Sequence, residues 1–164
     1  MKKEYLDNLY KTTSKEESGV LALSLPIALL YKHIFNKNAN LLQTNYDLTH
    51  SEVDVLAILS SYKIMTPTDL YEATIFSSGG MTKILKKLER KQFISRISSD
   101  KDKRSKLVKL EPKGEEIFQL CLIDILKIDN QIFSILDKKE KEDFKKILKK
   151  LVYSTLKTWV REYN

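Results

Sequence analysis

Eleven basic side chains lie between Lys83 and Lys109, against three acidic ones, so this stretch carries a net +8. The whole chain of 164 residues carries +7, from 29 lysines and arginines and 22 aspartates and glutamates, which leaves the remainder close to neutral. Cationic groups gathered in one segment bind phosphate. With a sequence pI near 9.3, nucleic acid is the first anionic partner to consider and an acidic membrane the second. Just ahead of the segment, Ser77, Ser78, Gly79 and Gly80 would open a helix whose backbone N–H groups are little obstructed, which suits a phosphate. Thr82, Lys83, Lys86 and Lys87 follow on the polar face of that helix, where hydroxyl and ammonium groups meet base edges or backbone in a major groove. Arg96 comes next, then a loop holding Asp102, Lys103 and Arg104; a guanidinium near a hairpin tip reaches a narrow, negative minor groove.

Other chemistries find less support. Ser60 with Lys63, and Ser98 with Lys101, match a Ser-x-x-Lys nucleophile pattern, but its companion motifs are absent. His33 and His50 lack metal-ligand spacing with each other or with Cys121. Glu115 and Glu116 are adjacent, so a helix points them to different sides and they form no catalytic pair. There is no glycine motif that cradles a phosphate. The expectation is therefore no catalytic residue, no metal, no cofactor and no enzyme. Cys121 is the single cysteine, which excludes an internal disulfide and suits a reducing compartment. Flanked by Leu120 and Leu122, it reads as a small hydrophobe whose apolar setting raises the thiol pKa.

The elements that must position the basic segment are helices. Four glycines and three prolines are too few for a turn-rich sandwich or barrel. The most apolar run, residues 20–31, is too short to span a bilayer, is interrupted by Ser24 and Pro26, and follows mixed charges rather than a basic leader. A cytoplasmic protein without a membrane segment is expected. Tyr5, Leu6, Leu9 and Tyr10 have helical spacing over residues 3–13, and a second helix should start near Pro26 and end around residues 38–40. Thr49 and Glu52 form a capping box opening a helix to about Ser61, and Thr66 with Asp69 opens a shorter one. Ser77 and Ser78 offer caps for a third, with Met81, Leu85 and Leu88 on its apolar side. Residues 93–97 and 106–110 read as strands. Pro112 then starts a long helix to about Leu136, apolar on more than one stripe and so expected to be buried on two sides, and a last helix begins near Lys139.

Three short helices followed by a two-stranded ribbon is the order of a winged helix-turn-helix. The expected fold is thus mainly α with a small two-stranded antiparallel wing. Residues 1–45 supply N-terminal dimerisation helices, 46–111 the DNA-binding domain, and 112–164 C-terminal dimerisation helices. Surplus apolar surface at both ends of the chain is most economically explained by a homodimer.

The sequence resembles the MarR family of bacterial transcription regulators. The carriers are Leu48, Thr49, Glu52, Val53 and Leu56; Thr66, Pro67, Asp69 and Leu70; Ser77 to Thr82 with Leu88 and Glu89; Ile94 and Arg96; Asp102, Lys103 and Arg104; then Leu107, Val108, Leu110 and Gly114. The resemblance implies a sequence-specific regulator that binds an inverted-repeat operator in double-stranded DNA as a homodimer, most often a repressor released by a small, often phenolic effector. It implies that Asp102 holds Arg104 in a usable rotamer. It also implies an effector site near the junction of dimerisation helices and reading lobe, where Tyr31, His33 and Tyr46 are candidates. Since some family members switch by cysteine oxidation, a peroxide-sensing Cys121 is the second reading; a protein-interaction or RNA-binding winged helix is the third. Two positions depart from the pattern. Gln92 stands where a glycine of positive φ is usual, at a cost of about 1 kcal/mol. Glu111 replaces the threonine that normally caps the long helix.

Overall fold

A computed structural model describes residues 19–74, 80–98 and 106–162, with side chains described to residue 155, together with the isolated positions 4, 7, 8 and 11. The elements are α1 (Leu21–Tyr46), α2 (His50–Tyr62), β1 (Ile64–Met65), α3 (Pro67–Ala73), α4 (Met81–Arg90), β2 (Ile94–Ser98), β3 (Lys106–Leu110), α5 (Pro112–Phe133) and α6 (Lys138–Glu162). The expected helix over residues 3–13 falls almost wholly outside the described residues, although Glu4, Asp7, Asn8 and Lys11 are helical. The chain divides into two compact units, Met1–Ile125 and Leu126–Asn164, with the division inside α5.

Within the first unit the helix-turn-helix is built as its caps require. Thr49 Oγ accepts the Glu52 N–H, and Glu52 Oε2 accepts the Thr49 N–H at 2.8 Å, the reciprocal box that starts α2. Thr66 Oγ accepts the Asp69 N–H, with Pro67 at the first position of α3. The core gathers Leu42 and Leu48, then Leu56, Leu59, Leu70, Leu85 and Leu88, then Ile94 and Val108, all but sealed from solvent. Each fully buried leucine contributes about 1.5–3 kcal/mol of transfer energy.

The wing holds one strand more than expected. The sheet order is β1-β3-β2, all antiparallel, with Ile64 opposite Lys109, and Ile94, Arg96 and Ser98 opposite Leu110, Val108 and Lys106. A two-residue strand is too short to show alternation, and only its pairing with β3 defines it. The helix expected near Pro26 begins five residues earlier and runs on to Tyr46. Pro26 lies inside α1 and costs one rung of its hydrogen-bond ladder, at Ala22.

Gln92 takes φ 62°, the left-handed conformation anticipated for its position. It ends α4 in a Schellman turn: the Phe93 N–H reaches Leu88 O at 3.0 Å and the Gln92 N–H reaches Glu89 O at 2.9 Å. Gln92→Gly is expected to stabilise the protein by about 1 kcal/mol, less the entropy that glycine adds to the unfolded chain. Urea unfolding checks this, and a loss of stability would refute it.

Glu111 sends its carboxylate to the Ser95 hydroxyl, while its N–H bonds Phe93 O at 3.0 Å and so fastens the start of α5 to the sheet. Glu115, one turn on, takes hydrogen bonds from Lys63, Gln119 and Ser60, and these hold its carboxyl down at about 2. The expectation that α5 is buried on two sides is not met within the single chain. Its buried residues are Gly114 and Cys121, and Leu120, Ile123 and Leu126 are about half exposed.

In the second unit, Asp137 and Glu140 form a capping box at the start of α6, and Phe133 meets Phe144 with ring centroids 6.3 Å apart. Ile147, Leu151 and Val152 are exposed along α6.

Candidate nucleic-acid interface

Helix α4 sorts its side chains into three groups. Leu85 and Leu88 are buried, and Met81 and Ile84 pack against the core beside them. Thr82, Lys83, Lys86 and Arg90 are exposed together on the outer side. Lys87 and Lys91, one turn apart, are turned back against the body of the protein. This corrects the expectation that Lys87 lies on the outer face. Its ammonium is 3.2 Å from the buried carboxylate of Glu52 and donates to Asp47 O at 3.1 Å. Lys91 donates to Asp47 O and pairs with the Asp47 carboxylate, both at 2.8 Å. These bonds, with Gln43 and Lys87 alongside, hold the Asp47 carboxyl below its ordinary value.

The N-cap of α4 is also not what the serines suggested. It is Gly80, with φ 110°, and the helix begins at Met81. The positive φ accounts for glycine there. Ser77, Ser78 and Gly79 lie outside the described residues, as do Asp102, Lys103 and Arg104. Arg96 is exposed on β2, with its Nε 3.3 Å from Glu89 at the end of α4. The outer face of α4 and the edge of the sheet therefore present hydroxyl, ammonium and guanidinium groups together. A shallow cavity of about 270 Å³ lies between α3, α4 and β2, with Pro67, Tyr71, Met81, Thr82 and Arg96 among its walls.

Residues 48–106 match the MarR family. Over 86 residues the chain is 34% identical to the HTH-type transcriptional regulator SarZ of Staphylococcus aureus (strain MRSA252), which covers 52% of this chain and 57% of that protein. Over this central segment the chain is similar to the MarR family. It spans somewhat over half the length of the relatives it matches in sequence. Among solved structures, a point mutant of MarR from E. coli is 26% identical, with a TM-score of 0.62, covering 77% of this chain and 96% of that one. The same mutant complexed with operator DNA gives a TM-score of 0.67 at 23% identity, covering 84% and 99%.

The three effector-pocket candidates are not gathered at one place. Tyr31 and His33 are exposed on α1; Tyr31 meets Phe35, and Phe35 in turn stacks on His50 at 4.1 Å. Tyr46 sits fifteen residues further along the same helix, about 22 Å from Tyr31 by the helical rise. Its hydroxyl donates to Asp124 at 2.6 Å, and that bond with partial burial pushes the phenol up to about 12.

Cys121 is fully buried, and burial with the nearby Asp124 carboxylate pushes its thiol up to about 11. At neutral pH it is a thiol and not a nucleophilic thiolate, which weighs against a peroxide sensor. In the native protein Cys121 is expected to react with a disulfide reagent only on unfolding. Rapid labelling of the folded protein would contradict this.

Sequence reasoning missed Asp47, Glu52 and Lys91 as anchors of α4. A signal existed in the i, i+4 spacing of Lys87 and Lys91, but nothing in the linear sequence says which lysines of a rich helix face inward.

Proposed function

We propose that this protein is a sequence-specific, double-stranded-DNA-binding transcription regulator that acts in the cytoplasm as a homodimer on an inverted repeat. The observation that carries it is the outer face of α4, where Thr82, Lys83, Lys86 and Arg90 stand free of the core while Lys87 and Lys91 are committed behind. The dimer is supported by apolar surface left open in the single chain, including Leu23 and Ile27 on α1, Ile123 on α5 and Leu151 on α6. No helix among the described residues is long and apolar enough to cross a membrane.

The finer part of the proposal is repression relieved by a small effector. The cavity walled by Pro67, Tyr71, Met81, Thr82 and Arg96 has the chemistry for a small aromatic anion: apolar sides, a hydroxyl and a guanidinium. Ligand there would compete with use of Thr82 and Arg96 by DNA.

Titration of a selected duplex at several salt concentrations tests the core of the proposal. Affinity should fall steeply with salt, and Lys86→Ala should reduce the log–log slope by about 1. Arg104→Ala should weaken specific binding by about 1–3 kcal/mol. Indifference to duplex DNA at low ionic strength would overturn the reading.

A further inference from the structure

We infer that the turn closing α1, at Tyr46 and Asp47, is the joint that fixes the angle of α4 against α5, and that Tyr46, Asp47 and Lys91 are positioning residues for DNA recognition. The inference rests on the DNA-binding reading above and concerns residues off the proposed DNA-contacting face. Helix α1 has no basic residue in its last turn, so its negative end is not neutralised by its own side chains. The missing cations come from α4. Lys91 donates to Asp47 O at 2.8 Å and to Tyr46 O at 3.4 Å, and Lys87 donates to Asp47 O at 3.1 Å. Two lysines one turn apart thus cap another helix's terminus from the back of the proposed reading helix.

The same turn holds α5 from its other side. The Tyr46 hydroxyl donates its one proton to the Asp124 carboxylate at 2.6 Å, with Leu120 O 3.3 Å away beside it. Two consecutive residues therefore carry hydrogen bonds to both helices. The turn itself is stiff: Asp47 is left-handed at φ 50°, the Leu48 N–H reaches back to Leu42 O, and both leucines are fully buried. Exposed ion pairs hold geometry poorly, but the side chains of Lys87 and Lys91 are only 26% and 21% exposed, and they share one carbonyl acceptor. A supporting shell of this kind sets orientation without touching the ligand.

The full chain and the inverted-repeat duplex that wild type selects from a randomised pool provide the test. That duplex is compared with versions lengthened or shortened by a single base pair between half-sites. Wild type should discriminate against the altered spacings, and Tyr46→Phe and Lys91→Met should each reduce that discrimination by about tenfold. Lys91→Arg, which keeps a donor and a charge, should retain most of it. A merely structural role would weaken binding to all spacings in parallel with a fall in the urea midpoint, and that result would overturn the joint. Folded variants that discriminate as wild type does would overturn it too, leaving the DNA reading intact. Should Tyr46→Phe not fold, the Lys91 pair carries the same comparison. Failure of wild type to select any duplex would overturn the DNA reading, and the joint with it.

Discussion

Glu52→Ala is expected to destabilise the protein by about 3 kcal/mol, the sum of a lost cap and a lost charge-assisted bond. The carboxylate is 4% exposed, yet it serves two partners through Oε2: the Thr49 N–H at 2.8 Å and the Lys87 ammonium at 3.2 Å. Neither partner would be stranded in a dry interior. Thr49 is exposed, and Lys87, about a quarter exposed, keeps Asp47 O, so the cost falls short of that for a fully buried orphaned charge. Glu52→Gln separates the two contributions. Its amide oxygen can still accept from Thr49, and only the ionic part is lost, so about half the effect should remain. Urea unfolding of the three proteins at fixed salt measures both steps. An alanine variant within about 0.5 kcal/mol of wild type, inside the range of ordinary surface changes, would sink the account.

How much of this was legible in the sequence depends on whether the cause was local. The caps at Thr49 and Thr66 were legible because a cap and its partner lie three residues apart. The box at Thr49 is reciprocal, while at Thr66 the structure holds the half in which the threonine hydroxyl accepts the Asp69 N–H. The positive φ of Gln92 was legible only through the resemblance, in which a glycine is usual at that position. Strand β1 was not, since two residues become a strand only when β3, more than forty residues later, lies alongside. The start of α1 differs from the expectation because Pro26, a favourable first-turn residue, is instead accommodated inside a helix that begins at Leu21. The basic segment was legible as a charge total but not as a geometry. Lys86 and Lys87 are neighbours of identical chemistry, and one faces solvent while the other meets Glu52. That difference is a rotation of about 100° per residue around a helix whose buried stripe is fixed by Leu85 and Leu88. Tertiary partners thirty-five and forty residues away set the role of Lys87, and no local pattern carries them.

Gly114→Ala tests whether the resemblance at this glycine has a steric cause, because two forces predict opposite signs. Helix propensity alone favours alanine, by about 1 kcal/mol in a helix interior and by less in the first turn, where Gly114 stands. Against it, a Cβ at Gly114 would stand 2.1 Å from Phe93 O and 2.9 Å from Leu110 Cδ1. The leucine methyl can rotate away; the carbonyl cannot move freely. Phe93 O accepts the Glu111 N–H at 3.0 Å, and Ile94 beside it begins the ladder opposite Leu110. Relief therefore requires either breaking that bond or swinging the first turn of α5 off the sheet, which would drag Glu115 from Lys63 and Ser60 as well. Overpacking of this kind costs about 3 kcal/mol, well beyond the propensity gain. Glu116→Ala, an exposed change two residues on, is the control and should lie within about 0.5 kcal/mol of wild type. If Gly114→Ala unfolds at a higher urea concentration than wild type, the close approach of α5 to β2 is not what demands glycine here. If it unfolds at a lower one while the control does not move, the join between the wing and the long helix is set by backbone contact, where only the residue without a side chain fits.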